Sequence, residues 1–304
     1  WVCGHRGLLG SAIVRRLGDE NVEVVSASRD ALDLRCADHV RSFAQTHRPD
    51  VVFLAAAKVG GISANQADPV GFLHDNLLIA ANVMAAAHAA GTSRLLYVAS
   101  SAVYSPLARQ PMREGEVPTG PLEPTHEGYA VAKIAGLTLA KAYRAQYGLD
   151  YFSVLPTNLY GTTGNIDLQT SHVIPALIRK AHEAKVAGED HITIWGAGTA
   201  CREFLHADDC AAACVHLMDA TIEYDLYNLG SDEEVTILEL TKLVCEAVGF
   251  NGEIRTDPSK PEGPARKRLD SGRLRATGWM PRVSLRDGLK AAYASFLEKG
   301  RVGV

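Results

Sequence analysis

The chain has no Cys-x-x-Cys pair; its six cysteines, at positions 3, 36, 201, 210, 214 and 245, are scattered. That pattern argues against a zinc ribbon or a disulfide-stapled scaffold and suits a reducing compartment, so a cytoplasmic protein is expected. His206, Cys210 and Cys214 fall at four-residue spacing, but on an Ala-rich helix this reads as core packing, and no metal is expected. A basic block is also missing. With 31 Lys and Arg against 35 Asp and Glu, the formal net charge is -4, so neither a nucleic acid nor a membrane surface is an expected partner. No apolar run approaches the ~20 residues of a membrane span. The first residues read directly as a strand, from which no signal or transit peptide is expected. Low-complexity tracts and internal repeats are lacking too. What remains is an ordinary globular composition, 47% hydrophobic and 22% charged over 304 residues, enough for one large core and a smaller lobe.

The apolar runs alternate with helical stretches. Strand-like runs lie at 22–26, 51–57, 95–100 and 151–155, and helical segments at 10–18, 37–47, 70–90 and 129–147. Such alternation predicts an α/β fold with a doubly wound parallel sheet, of Rossmann type, and ligands at the C-terminal ends of its strands. Past 160 the alternation breaks down, with a helix at 174–187 and the run Ile192–Gly196. Residues 203–230 return to strand (203–206), helix (207–219) and strand (227–229) and are expected to rejoin the sheet. The expected division is therefore 1–160 plus 203–235 for the dinucleotide-binding domain, and 161–202 plus 236–304 for a smaller α/β substrate-binding lobe. The helix at 70–90, carrying Asn76 and Asn82, would pack either in the core or against its copy in a homodimer.

The chemistry-bearing motifs occur in a telling order. Gly4, Gly7 and Gly10 follow a first strand and open a helix, the pattern of a turn that lets a pyrophosphate approach a helix N-terminus. The second strand ends Ser26-Ala27-Ser28-Arg29-Asp30. Arg29 there, with Arg6 inside the glycine turn, favours the 2'-phosphate of NADP(H), whereas Asp30 read as a ribose ligand would favour NAD. Asp33 and Leu34 follow where an adenine edge would lie, or Asp33 caps a helix, and the small residues Ala55–Ala57 before Gly60 and Gly61 either let the backbone pass close to a ribose or serve only loop flexibility. Ser100 or Ser101, at the end of the 95–100 run, could hydrogen-bond the oxygen that Tyr129 protonates. Tyr129 and Lys133 stand one helical turn apart, so a lysine ammonium, together with the positive end of a nicotinamide, is expected to lower the phenol pKa from its ordinary value of about 10. In the C-terminal part, Trp195 reads as a core aromatic or a purine-stacking one. His172 reads as a structural histidine, and Arg266-Lys267-Arg268 as a solvated loop or a diphosphate site.

These stretches resemble the extended short-chain dehydrogenase/reductases, and among them the GDP-L-fucose synthases, which epimerise and reduce GDP-4-keto-6-deoxy-D-mannose. The resemblance is carried by Gly4–Ala12, Ala55–Ile62, Leu122–Thr125, Tyr129–Gly136, Pro156–Gly161, Ser171–Leu177, Trp195-Gly196 and Arg202–His206, over nearly the whole chain. It implies a triad of Ser100, Tyr129 and Lys133, and His172 as the acid of the epimerisation. It further implies NADP(H) contacts from Gly4, Arg6, Gly7, Leu8, Leu9, Gly10, Arg29, Asp33, Leu34, Ala56, Tyr129, Lys133, Pro156, Asn158, Leu159 and His172. Lys180, Trp195, Arg202 and Lys267 would hold a GDP-linked 4-keto-6-deoxyhexose. Lys180 stands where the family usually has Arg, and Tyr104-Ser105-Pro106 where it has Tyr-Pro-Lys. The largest departure is Ala102, at the position of the cysteine that removes the proton beside the ketone. A methyl group accepts no proton, so 4-keto reduction is expected with or without epimerisation. The Ser101-Ala102 pair also departs from the Asp-Glu pair of nucleotide-sugar dehydratases.

Overall fold

The computed structural model describes residues 1–117, 119–162, 172–260 and 263–302. In chain order the first part runs β1 (Val2–Cys3), α1 (Leu8–Leu17), α2 (Ala37–His47), β2 (Val51–Leu54), α3 (Ile62–Ala67), α4 (Pro69–Ala89), β3 (Arg94–Val98), α5 (Glu127–Tyr147), β4 (Asp150–Pro156) and β5 (Asn158–Tyr160). The second part runs α6 (Val173–Ala187), β6 (His191–Trp195), β7 (Cys201–His206), α7 (Ala207–Asp219), β8 (Leu226–Leu229), β9 (Glu234–Thr236), α8 (Ile237–Val248), β10 (Glu253–Asp257), β11 (Arg266–Lys267), α9 (Gly272–Ala276) and α10 (Leu285–Val302).

A five-stranded sheet in the order β1-β2-β3-β4-β8, parallel throughout, forms the centre. Its strands are apolar on both faces because helices cover both. On one side Ile13 of α1 and Cys210 and Cys214 of α7 pack against Leu96, Phe152 and Val154. On the other, Val40 of α2 and Val83 and Met84 of α4 pack against Val52, Leu54 and Leu95. Cys210 and Cys214 are fully buried, as the core-packing reading expects.

Two expectations need correction. The run at 22–26 forms no regular strand among the described residues; Val2 N donates to Val25 O at 3.0 Å, and Val22 is 56% exposed. With only two residues in β1 there is little backbone for a ladder. The strand expected at 203–206 does not rejoin the central sheet. It lies in β7, which pairs in parallel with β5 and β11 and antiparallel with β9, while β8 alone returns to the centre beside β4. The run at 192–196 forms β6, paired with β10, and a separate apolar cluster of Ile178, Ile192, Ile194, Leu240 and Val244 fills this part. Helix α8 begins with a capping box in which Thr236 and Glu239 satisfy each other's backbone N–H groups.

Helix α4 also corrects the reading of apolar runs. It is 21 residues long and contains a window of 18 with a mean hydropathy of 1.3, so it is long and apolar enough to cross a membrane by length and composition. Here Phe72, Ala80, Val83, Met84 and Ala87 are buried against the rest of the molecule.

Candidate active site

A cavity of about 1110 Å³ opens at the C-terminal ends of the central strands. Its floor is the glycine turn. Gly4 has φ 86°, and a Cβ there would stand 2.8 Å from the Ala56 backbone. At Gly10 a Cβ would reach 2.0 Å from Gly4 O, so the turn and α1 can touch only without side chains. Gly7 caps α1 with no side-chain partner, which leaves the first N–H groups of the helix for an anionic ligand. Arg6 and Arg29 line the cavity, as do Leu8, Leu9, Asp33, Leu34 and Ala56.

Three asparagines fix the loops around this floor. Asn76 of α4 accepts from Lys58 N at 2.9 Å and donates to Lys58 O at 3.0 Å, clamping the loop after β2. Asn65 of α3 donates to the carbonyls of Gly60 and Gly61, both at 3.0 Å. Asn82, also of α4, donates to Leu34 O at 3.0 Å. Beside it Arg35, which the sequence reading passed over, pairs with Asp33 through Nε and Nη2 and reaches Asp75 at 3.3 Å. The Arg35 hydrogen bonds hold the Asp33 carboxyl at about 2, well below the usual range. Asp33 therefore enters the cavity wall as half of an ion pair. Asn76 and Asn82 serve the crevice from within one chain, a role their polarity hinted at and their sequence position did not.

Ser100, Tyr129 and Lys133 converge on the same cavity. The Ser100 hydroxyl accepts from Ala102 N at 3.2 Å, which ends β3 in a tight turn over 101–103, and it lies near enough to the Tyr129 phenol to lower its pKa. Ser101 and the Ala102 methyl line the wall beside it. Tyr129 packs edge-on against Phe72, with centroids 6.3 Å apart. Lys133 is buried, 5.8 Å from the Tyr129 ring centroid, and donates to Val98 O at 2.8 Å.

In the chain by itself Lys133 does not lower the phenol pKa. Burial pushes Tyr129 up to about 12, only partly offset by the nearby Ser100 hydroxyl. Burial likewise pulls Lys133 down to about 7. The ammonium is directed at a backbone carbonyl and not at the phenol oxygen, and desolvation outweighs its field. Lys133 carries a linked stability effect. Below about pH 7 it is protonated folded and unfolded; from there to its ordinary value of 10.5 only the unfolded chain binds the proton. Stability therefore rises with pH across that window. Urea unfolding of Lys133→Met, compared with the parent protein at several pH values, is expected to show that slope reduced.

The C-terminal part contributes unequally. His172, which precedes α6, and Lys267 of β11 line the cavity, together with Pro156, Asn158 and Leu159. The Asn158 amide donates to Glu203 O at 2.9 Å, tying β5 to β7. Burial, the neighbouring Arg202 charge and the opposing Glu123 charge set Lys267 at about 8. Arg202 itself stands outside the lining and donates to Cys201 O at 2.8 Å. Lys180 also lies outside it, on the face of α6 that covers β6, and donates to Thr193 O at 2.6 Å. Trp195 is 58% exposed at the end of β6, so the core-aromatic reading is excluded. Ser171 lies outside the described residues. His126 lines the cavity although the sequence reading gave it no role.

Comparison with known proteins gives concordant likenesses. The family described as "NAD dependent epimerase/dehydratase family" matches residues 1–230. A GDP-L-fucose synthase of Sinorhizobium fredii (strain NBRC 101917 / NGR234) is 49% identical over 297 residues, covering 98% of this chain and 95% of that protein. GDP-L-fucose synthase 1 of Arabidopsis thaliana is 48% identical over 299 residues, covering 98% and 93%. Among solved structures, a GDP-mannoheptose C4 reductase from Campylobacter jejuni with NADP bound superposes with a TM-score of 0.87 at 29% identity, covering 97% of this chain and 96% of that one.

Proposed function

The chain belongs to the NAD dependent epimerase/dehydratase family, and we propose that it acts as a GDP-L-fucose synthase, an NADPH-dependent 3,5-epimerase and 4-keto reductase of GDP-4-keto-6-deoxy-D-mannose. The observation that carries this reading is the meeting of the glycine turn, Ser100, Tyr129, Lys133 and Lys267 in one cavity. NADP(H) fits the residues present. The cradle between Gly4, Gly10 and Ala56 closes if either glycine gains a Cβ, and Arg6 and Arg29 stand at the wall where a 2'-phosphate needs cations. When bound, NADPH supplies the hydride that reduces C4 of the sugar.

The chain's own residues handle the proton and the charge. Burial keeps the Tyr129 phenol protonated at neutral pH, with its pKa at about 12, which is the state a proton donor to a C4 alkoxide must start from. The Ser100 hydroxyl, beside that phenol, can donate to the same oxygen. Lys133 anchors α5 to the end of β3 through the Val98 carbonyl and so holds Tyr129 at the cavity mouth. Lys267, with Arg202 beside it, offers positive charge to a diphosphate. Trp195 offers an exposed ring on which guanine can stack, and Lys180 a cation near the same edge. His172, exposed at the cavity rim, is assigned the return of a proton in epimerisation.

Ala102 supports a second reading. Its methyl lines the wall next to Ser100, and it suits a 4-keto reductase that leaves C3 and C5 untouched. Incubation with GDP-4-keto-6-deoxy-D-mannose and NADPH in deuterated water separates the two. NADPH loss with deuterium at C3 and C5 is the expected result. Loss without deuterium leaves the reductase alone, and no loss removes both readings.

The division into a dinucleotide-binding part, 1–160 plus 203–235, and a GDP-sugar lobe, 161–202 plus 236–304, belongs to the same proposal. It is supported by the separate core of Ile178, Ile192, Leu240 and Val244, except at β7, whose Phe204 packs in that core and whose strand pairs outside the central sheet. A cytoplasmic location fits six cysteines that are all free. A homodimer through α4 and α5 fits the exposure of Val70 and Val131 on those helices.

A further inference from the structure

Epimerisation beside a ketone needs a base to take the carbon-bound proton. Tyr129 serves the C4 oxygen, Lys133 donates to Val98 O, and Ala102 offers only a methyl. The described residues lining the cavity include three histidines, His5, His126 and His172. His5 belongs to the dinucleotide turn and His172 holds the acid role, which leaves His126.

His126 sits at the N-cap of α5, three residues before Tyr129, yet its side chain makes no capping hydrogen bond. Its Nδ1 lies 3.2 Å from Thr125 Oγ1, and that hydroxyl donates to Glu123 Oε1 at 3.3 Å. A hydroxyl whose hydrogen is given to a carboxylate can only accept from the ring. Nδ1 therefore carries the hydrogen, and Nε2 keeps its lone pair. Nε2 has no hydrogen-bond partner among the described residues. Burial and then the Lys267 charge push the imidazole below its ordinary pKa, against the pull of Glu123, so it is neutral at pH 7.

We propose that His126 is the base that removes the protons at C3 and C5, oriented by Glu123 through Thr125. This rests on the reading of the chain as an epimerising reductase. Nε2 takes the proton, the C–H electron pair becomes the carbon–carbon double bond of an enolate, and the carbonyl π pair moves onto the C4 oxygen held by Tyr129. A proton returned to the opposite face of that carbon inverts the centre.

The test is the deuterium at C3 and C5 per NADPH oxidised, measured with GDP-4-keto-6-deoxy-D-mannose in deuterated water. His126→Asn is expected to lower that ratio at least tenfold, and Thr125→Val, which breaks the relay and spares the ring, several-fold. Thermal melting checks that both variants fold. A parental ratio in His126→Asn overturns the proposal; if that variant does not fold, a parental ratio in Thr125→Val overturns it. A parent protein that oxidises NADPH without labelling either carbon also overturns it while reduction stands. Absence of both signals in the parent removes the underlying activity as well.

Discussion

Replacing Tyr129 by Phe is expected to lower kcat for ketone reduction by about 10³-fold, within the range that general acid catalysis contributes, while KM for the GDP-sugar changes little. The ring is retained, so its edge-on contact with Phe72 at 6.3 Å and its place on α5 survive. Only the proton is lost. Because burial holds the phenol at about 12, it is the protonated acid across the neutral range, and the parent protein's rate should not fall through loss of that proton below about pH 10. Steady-state NADPH oxidation measures the effect. A variant retaining more than a tenth of the parental kcat would mean that another group, Ser100 foremost, delivers the proton.

Gly10→Ala is expected to weaken NADPH binding at least 100-fold, about 2.7 kcal/mol. The new Cβ would stand 2.0 Å from Gly4 O and 2.6 Å from Gly4 C, and both obstacles are backbone. Relief requires the turn to move away from α1, and with it the Gly7 N to Gly4 O hydrogen bond of 2.9 Å and the N–H groups meant for the pyrophosphate. Gly115→Ala provides the control, because a Cβ there meets nothing within 4 Å. Titration of both variants with NADPH, followed by nucleotide fluorescence, gives the answer. An unchanged affinity in Gly10→Ala would show that the pyrophosphate does not sit on this turn.

Much of the frame was legible because it is written in local periodicity. Helix α2 falls at 37–47 and α7 at 207–219, as the sequence predicts, and α5 needs only the two residues before Tyr129. The glycine turn was legible because steric exclusion leaves no alternative to glycine at positions 4 and 10. The failures have a different origin. Residues 22–26 carry the composition of a strand, but a strand exists only where a neighbour supplies a ladder, and β1 supplies two residues. The pairing of β7 with β5 depends on a break after Pro156 that separates β4 from β5, which periodicity does not record.

The sequence by itself determined the kind of molecule: a strand–helix alternation, a glycine turn for a dinucleotide, and a phenol and an amine on one helix face. Those are consequences of spacing along the chain. The tertiary structure decided what the groups do. It placed Lys133 against a carbonyl 35 residues away, so that desolvation and not its charge governs the phenol. It turned Asn76 and Asn82 toward the loops of the crevice and moved Lys180 and Trp195 out of the cavity wall while bringing His126 into it. The physical reason is common to all of these. Burial and hydrogen-bond partnership arise between segments distant in sequence, and proton affinity and direction follow from them.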